Sequence, residues 1–144
     1  MKEMRHDYES QIRSIATARN DVADFARACG FCENEVADIR LAAGEACVNC
    51  VEHARLSRGT FTVSCGYEEE ILSVSVAGFS GGLAARDDRA TQNLAPKPRS
   101  GLGLMLIRAL MDESELEIRH DSGPTMTMRK LRSPHGGASS LREA

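Results

Sequence analysis

Residues 45–54 read Glu45-Ala46-Cys47-Val48-Asn49-Cys50-Val51-Glu52-His53-Ala54. They close a segment from about Glu33 to Ala54 whose apolar residues recur with helical spacing. In a helix, residues four apart share a face. Glu45, Asn49 and His53 therefore form a polar stripe, backed by an apolar one of Val36, Ile39, Ala43, Ala46 and Cys50. A carboxylate one turn from a carboxamide sets a proton acceptor beside a hard carbonyl oxygen that suits Mg²⁺. The ordinary explanation of such a stripe is a solvated helix face, so its meaning depends on the rest of the chain. His53 has a plainer role at hand, as a cation near a helix C-terminus.

Composition narrows the classes. The 144 residues favour one domain, large enough to hold a core without staples. The apolar fraction of 42% and charged fraction of 27% are those of an ordinary globular protein. A net charge of −3 argues against nucleic acid as a direct partner. No stretch approaches the ~18 apolar residues of a membrane helix. The opening Met1-Lys2-Glu3-Met4-Arg5-His6-Asp7 has no apolar signal-peptide core. A cytoplasmic protein is expected, with no membrane partner.

Five cysteines include two C-x-x-C pairs, Cys29/Cys32 and Cys47/Cys50, spaced like a four-cysteine zinc site. The odd Cys65 argues against a disulfide framework. The second pair lies inside the strongest helical pattern, where thiols three apart read as small apolar filler. Zinc or redox chemistry is accordingly not expected.

The remaining order is readable from periodicity and punctuation. Residues 1–9 are polar and expected to be loose, and Ser10 to Ala16 alternates like a strand. A helix opening at Thr17 or Asn20 runs through Val22, Phe25, Ala26 and Cys29 and stops at Gly30. Two alternating runs, Thr60 to Tyr67 and Ile71 to Ala77, flank Glu68-Glu69-Glu70 as a hairpin. Residues 84–100 carry two prolines, many charges and no periodicity, the mark of a functional or disordered loop. Gly101-Leu102-Gly103 then opens a helix from Leu104 to Met111, with Leu104, Ile107, Leu110, Met111 and also Met105 read as core, and Arg108 as solvated. Ser114 to His120 and Met126 to Leu131 are strands around an Asp121-Ser122-Gly123-Pro124 turn. Residues 10–132 make the domain, and residues 133–144 read as a disordered tail. The order β-α-α-β-β-loop-α-β-β implies an α+β two-layer sandwich, with helices on one face of a mixed, mostly antiparallel sheet.

Three features now stand in sequence: the Glu45/Asn49 helix, a strand running into Gly78-Phe79-Ser80-Gly81-Gly82, and a loop ending in Ser100-Gly101-Leu102-Gly103-Leu104 at a helix start. A glycine-opened helix start is a natural phosphate site, because free N–H groups and the helix dipole face the anion. Lys97 and Arg99 stand beside it. A lone G-x-G is weak evidence; the three features in order are more specific. With Asp38 to Ala54, Gly101 to Asp112 and Gly123 to Lys130, the chain resembles the GHKL (Bergerat-fold) ATPases. Within them it is similar to the stand-alone anti-sigma-factor serine kinases of the RsbW type.

The resemblance implies the Bergerat fold over about residues 10–132. It implies ATP and Mg²⁺ as ligands, with Glu45 as the general base toward a substrate serine and Asn49 as the Mg²⁺ ligand. Gly101, Leu102, Gly103 and Leu104 would contact the phosphates under a lid formed by the preceding loop. Gly78, Gly81 and Gly82 would line the strand end, and Thr125 would sit near adenine. It further implies partner switching between an anti-anti-sigma protein of STAS type and a sigma factor, in a homodimer. The sequence departs from the pattern at one point. The family's strand ends in an aspartate that accepts from the adenine amino group, and here that position is Gly78. Two readings follow: an ATP-dependent serine kinase with an altered adenine pocket, or a binding module that keeps the fold with weakened or lost ATP binding.

Overall fold

The two alternating runs form a hairpin at the centre of the sheet. In the computed structural model, which describes residues 1–54, 59–78, 98–119 and 123–134, they are β2 (Thr60–Glu68) and β3 (Ile71–Ala77). Their two-residue turn holds Glu69 and Glu70 at φ of 53° and 70°. Positive φ at both positions is what a tight right-twisted hairpin requires, but glycine or asparagine usually supplies it. The turn is held from outside. Arg132 donates its backbone N–H to the Glu70 carbonyl (2.7 Å), pairs its guanidinium with the Glu70 carboxylate (2.9 Å), and donates from Nε to the Tyr67 hydroxyl (2.8 Å).

Around the hairpin the sheet runs β1-β2-β3-β5-β4, with β1 at Lys2–Glu9, β4 at Glu113–Arg119 and β5 at Gly123–Leu131. All four pairings are antiparallel, so among the described residues the sheet has no parallel component. The alternation of β2, β3 and β5 turns Phe61, Val63, Cys65, Leu72, Val74, Val76, Met126 and Met128 into one buried face. Ser64, Ser73, Ser75 and Thr127 fall on the other, half-exposed face, where the Ser75 and Thr127 hydroxyls lie 3.2 Å apart.

Among the described residues, three helices cover the buried face: α1 (Ile12–Ala28), α2 (Glu33–Ala54) and α3 (Pro98–Leu110). On α2, Val36, Ile39, Ala43, Ala46 and Cys50 are all buried, so the apolar stripe read from the sequence is its core-facing side. The turn between α1 and α2 follows from Gly30. Its φ of 95° lets Phe31 N–H reach the Ala26 carbonyl (3.2 Å) and Gly30 N–H reach that of Arg27 (2.9 Å), the paired bonds of a Schellman ending. At the start of α2, Glu35 reaches back to the Cys32 N–H (3.2 Å), half of a capping box. Its second oxygen accepts from Ser133 N–H (3.1 Å).

The N-terminus differs from the sequence expectation. Residues 2–9 are not loose but form edge strand β1, and residues 12–16 begin α1 rather than a strand. β1 has no apolar alternation to read, because an edge strand buries little. Only Met4 and Tyr8 pack against the core, with Tyr8 stacked on Phe61 at 5.4 Å and its hydroxyl donating to Asp21 (2.7 Å). α1 starts at Gln11 without a side-chain cap, and its inner face is built from the small residues Ser14, Ala18, Val22, Ala23 and Ala26, which give a faint periodic signal. α3 also starts earlier than expected, at Pro98, a favoured first helical residue. Within it Ile107 is buried and Leu104 and Leu110 pack against the core, with buried Met111 just beyond its end; Met105 is 63% exposed and is not core.

All five cysteines are free thiols. Burial pushes Cys47 and Cys65 up to about 12 and Cys50 well above the usual thiol range. They stay protonated and serve as packing atoms. Among the described residues no group of three or more His, Cys, Asp or Glu is placed to hold a metal ion.

Phe61 is fully buried, between Tyr8 and the helix layer. Replacing it by alanine is expected to cost about 3–5 kcal/mol, measured as a lower urea midpoint with unchanged slope.

Candidate functional site

Glu45 and Asn49 lie one turn apart on α2, both half-buried. Their neighbour is a residue more than fifty positions away in sequence. A Cβ added to Gly103 would stand 3.1 Å from Glu45 Oε1 and 4.0 Å from both Asn49 Nδ2 and Oδ1. The carboxylate and the carboxamide thus converge on one bare point of α3. The polar stripe is not an open solvated face; it forms a wall facing another helix. Glu45 is available there as a proton acceptor and Asn49 Oδ1 as a neutral oxygen donor.

The position of Gly103 within α3 changes how the glycines are understood. The helix begins at Pro98, so the donors that helix geometry leaves free belong to its first residues, Arg99 and Ser100, rather than to Gly103. Gly103 contributes close approach: any side chain there would enter the space of the Glu45 carboxylate. Gly101 and Leu102 lie on the same helix, but their side-chain surroundings fall outside the described residues, and Leu104 is half-buried against the core.

A second wall meets the first at the end of β3. Cys50, next to Asn49, is buried with Sγ 4.0 Å from the Val76 carbonyl. Ala77 is paired with Thr125 of β5, and the following Gly78 is buried. Thr125 is 6% exposed, and its Oγ1 is buried with no hydrogen-bond partner among the described residues. Strand alternation puts Thr125 on the face of Ala77 and Thr127, opposite the one that carries Val76 and Met126, so this hydroxyl does not face α2 or the Glu45–Asn49 wall.

The sequence-derived residues divide accordingly. Glu45, Asn49 and Gly103 come together, and Gly78 follows the β3 end that Cys50 meets at Val76, while Thr125 is paired with Ala77 on the opposite face of the sheet. Gly81, Gly82 and Lys97 lie outside the described residues, as does the side chain of His53. Arg108 is exposed.

One contributor escaped the sequence reading. Lys130 is 14% exposed as a side chain and lies 3.8 Å from Asp38 of α2. It donates to the Leu110 carbonyl at 2.6 Å, capping the C-terminus of α3 where a cation is favoured. It thereby ties α3 to α2 and β5 and fixes the line along which Gly103 meets Glu45. A lone lysine ending an alternating strand gives no sign of this.

The residues fit a nucleotide with Mg²⁺ on one observation, the bare cradle at Gly103 beside Glu45 and Asn49. They fit it less well at Gly78, which has no side chain to offer a base.

Comparison with known proteins agrees with this geometry. Residues 8–130 match the family model of the histidine kinase-like ATPase domain. The serine-protein kinases RsbW of Bacillus cereus and Bacillus mycoides are each 32% identical over 126 residues, covering 81% of this chain and 76% of theirs. Among solved structures, the RsbU and RsbW domains of a Mycobacterium tuberculosis protein superpose with a TM-score of 0.68 at 18% identity. That match covers 92% of this chain and 32% of the longer one. The SiaB–SiaC complex of Pseudomonas aeruginosa gives 0.57 at 16% identity, covering 89% of each. These structures share the two-layer α+β fold.

Gly103→Ala separates packing from chemistry. The clash falls on the flexible end of Glu45, and alanine is favoured over glycine inside a helix by about 1 kcal/mol. Chemical denaturation is expected to find the variant as stable as the parent or slightly more so. Carboxyl NMR is expected to show Glu45 displaced.

Proposed function

Because this chain belongs to the histidine kinase-like ATPase (GHKL) family, with RsbW serine-protein kinases among its relatives, we propose that it is an anti-sigma regulatory factor with ATP-dependent protein serine kinase activity. Its substrate is a serine on a small anti-anti-sigma protein of STAS type, and its second partner is a sigma factor that it sequesters, as a homodimer in the cytoplasm. The convergence of Glu45 and Asn49 on Gly103 is the observation that carries this reading. A binding module has no use for a base and an oxygen donor held together against a bare glycine.

In this reading Glu45 takes up the proton of the substrate serine hydroxyl, and Asn49 Oδ1 holds Mg²⁺. Bound Mg-ATP supplies the phosphoryl group and the counter-charge. Gly103 keeps the Glu45 carboxylate free to turn toward substrate, with Gly101, Leu102 and Leu104 on the same helix. Gly78 takes the base side, with Gly81 and Gly82 beyond the strand end, and Thr125 stands on the neighbouring strand, paired with Ala77. Most of the rate then comes from positioning and charge stabilisation, as phosphoryl transfer generally requires.

Gly78 supports a second reading, a non-catalytic module of the same fold. A charge-assisted hydrogen bond to the base contributes about 1.5–3 kcal/mol, and without it nucleotide binding weakens by about 10- to 150-fold. Retention of Glu45 and Asn49 favours the kinase.

Calorimetric titration with Mg-ATP distinguishes the two readings. Saturable binding in the micromolar to millimolar range is expected; no heat and no thermal shift at millimolar ATP would sink the kinase. Glu45→Gln is expected to lower phosphotransfer to a STAS-type partner by about 10²- to 10⁴-fold with nucleotide affinity largely retained. Unchanged transfer would remove Glu45 from the role.

A further inference from the structure

We propose that Lys130 and Asp112 are positioning residues for the Glu45–Asn49 site. Together they clamp the C-terminal end of α3 to β5, so that the same helix sets Gly103 against Glu45 about two turns away. The inference rests on the nucleotide reading of that site and goes beyond it by naming what holds the site's second helix in register.

The clamp is built from consecutive residues of β5. The Arg129 carbonyl accepts from the Asp112 N–H (3.0 Å). Lys130 donates from Nζ to the Leu110 carbonyl (2.6 Å). Leu131 donates its N–H to Asp112 Oδ2 (2.7 Å). β5 lies between β3 and β4, so the helix end is tied to a strand that is itself paired on both sides. Lys130 also reaches α2, 3.8 Å from Asp38 Oδ2. The Asp38 side chain is 45% exposed, and that ion pair adds little beside the bond to the carbonyl.

The clamp and the site lie on one seam. Seven residues separate Asp38 from Glu45 on α2, and seven separate Gly103 from Leu110 on α3. Seven residues return to the same helix face, about 10 Å along the axis. Glu45 meets Gly103 at one end of the seam, and Asp38 meets Leu110 through Lys130 at the other, so the two helices run antiparallel. Between those ends, Ala42 of α2 and Ile107 of α3 are fully buried. A close-packed helix has no slack in which to absorb a displacement, so a shift at Leu110 is delivered at Gly103. The cation that fixes the seam thus stands two turns from the carboxylate that must stay free to act.

The test compares the full chain with its Lys130→Met variant, which keeps an apolar stem and removes the donor. NMR follows the Gly103 amide and the Glu45 side-chain carboxyl, and calorimetry follows Mg-ATP affinity. Lys130→Met is expected to move both signals and to weaken Mg-ATP by about tenfold or more. Lys130→Arg keeps a cationic donor for the helix end and is expected to bring affinity back to within about threefold of the parent. A lysine that only stabilised the fold would lower the urea midpoint and leave the signals and affinity of the folded protein where they were; that result overturns the proposal. If Lys130→Met does not fold, Asp112→Ala carries the test, because it removes the Leu131 bond and leaves Lys130 in place. Unmoved Gly103 and Glu45 signals in that variant overturn the proposal equally. Failure of the parent chain to bind Mg-ATP overturns the nucleotide reading instead, and the two NMR signals still decide whether the clamp sets Gly103 against Glu45.

Discussion

The close approach of α3 to α2 at Gly103 is the constraint on which the rest of this molecule depends. Glu45 Oε1 occupies the space that a side chain at residue 103 would need. The Glu45 carboxylate keeps this position because residue 103 contributes no side chain, whose Cβ would stand 3.1 Å from Oε1. Glycine inside a helix is destabilising by about 1 kcal/mol relative to alanine. The fold accepts this loss at the place where a carboxylate and a carboxamide meet. Lys130 offsets part of it by capping α3 at the far end, which holds the helix while its Gly103 segment stays bare.

The molecule has a latched end and an open end. At the latched end, Arg132 holds the strained Glu69–Glu70 turn, Glu35 takes both the α2 start and Ser133, and Lys2 donates to the α1 terminus at Ala28. α2 runs from there along the sheet to the other end, where Cys50, next to Asn49, meets Val76. Bare positions stand at this second end: the missing Cβ at Gly103 beside Glu45 and the missing side chain at Gly78. Local conflicts gathered at one end of an otherwise consistent fold mark where function acts.

Where burial enforces a period, the sequence was legible. The stripe from Val36 to Cys50 became the inner face of α2, and the runs from Thr60 and Ile71 became the central hairpin. Glu45 and Asn49 were legible as a pair because four residues make one helical turn. The strand β1 was not, since an edge strand with charged outer positions shows no alternation. The start of α1 was hidden by the lack of a side-chain cap, and that of α3 by glycines that look like a helix opening but lie inside one. Met105 was misread because a methionine on a helix is usually core, whereas here it faces outward. Lys130 could not be found, because its partners, Leu110 and Asp38, are brought to it only by tertiary structure.

The central claim is that Asn49 and Glu45, facing Gly103, form the metal and nucleotide site. Paramagnetic broadening tests it most directly, with Mn²⁺ replacing Mg²⁺ in complex with ATP and the backbone and side-chain amides read by NMR. The account predicts that the Asn49 carboxamide and the amides around Glu45 and Gly103 broaden first, while the latched end around Tyr67, Glu70 and Arg132 keeps its intensity. Broadening centred elsewhere, or an Asn49 carboxamide untouched at saturating nucleotide, would contradict it.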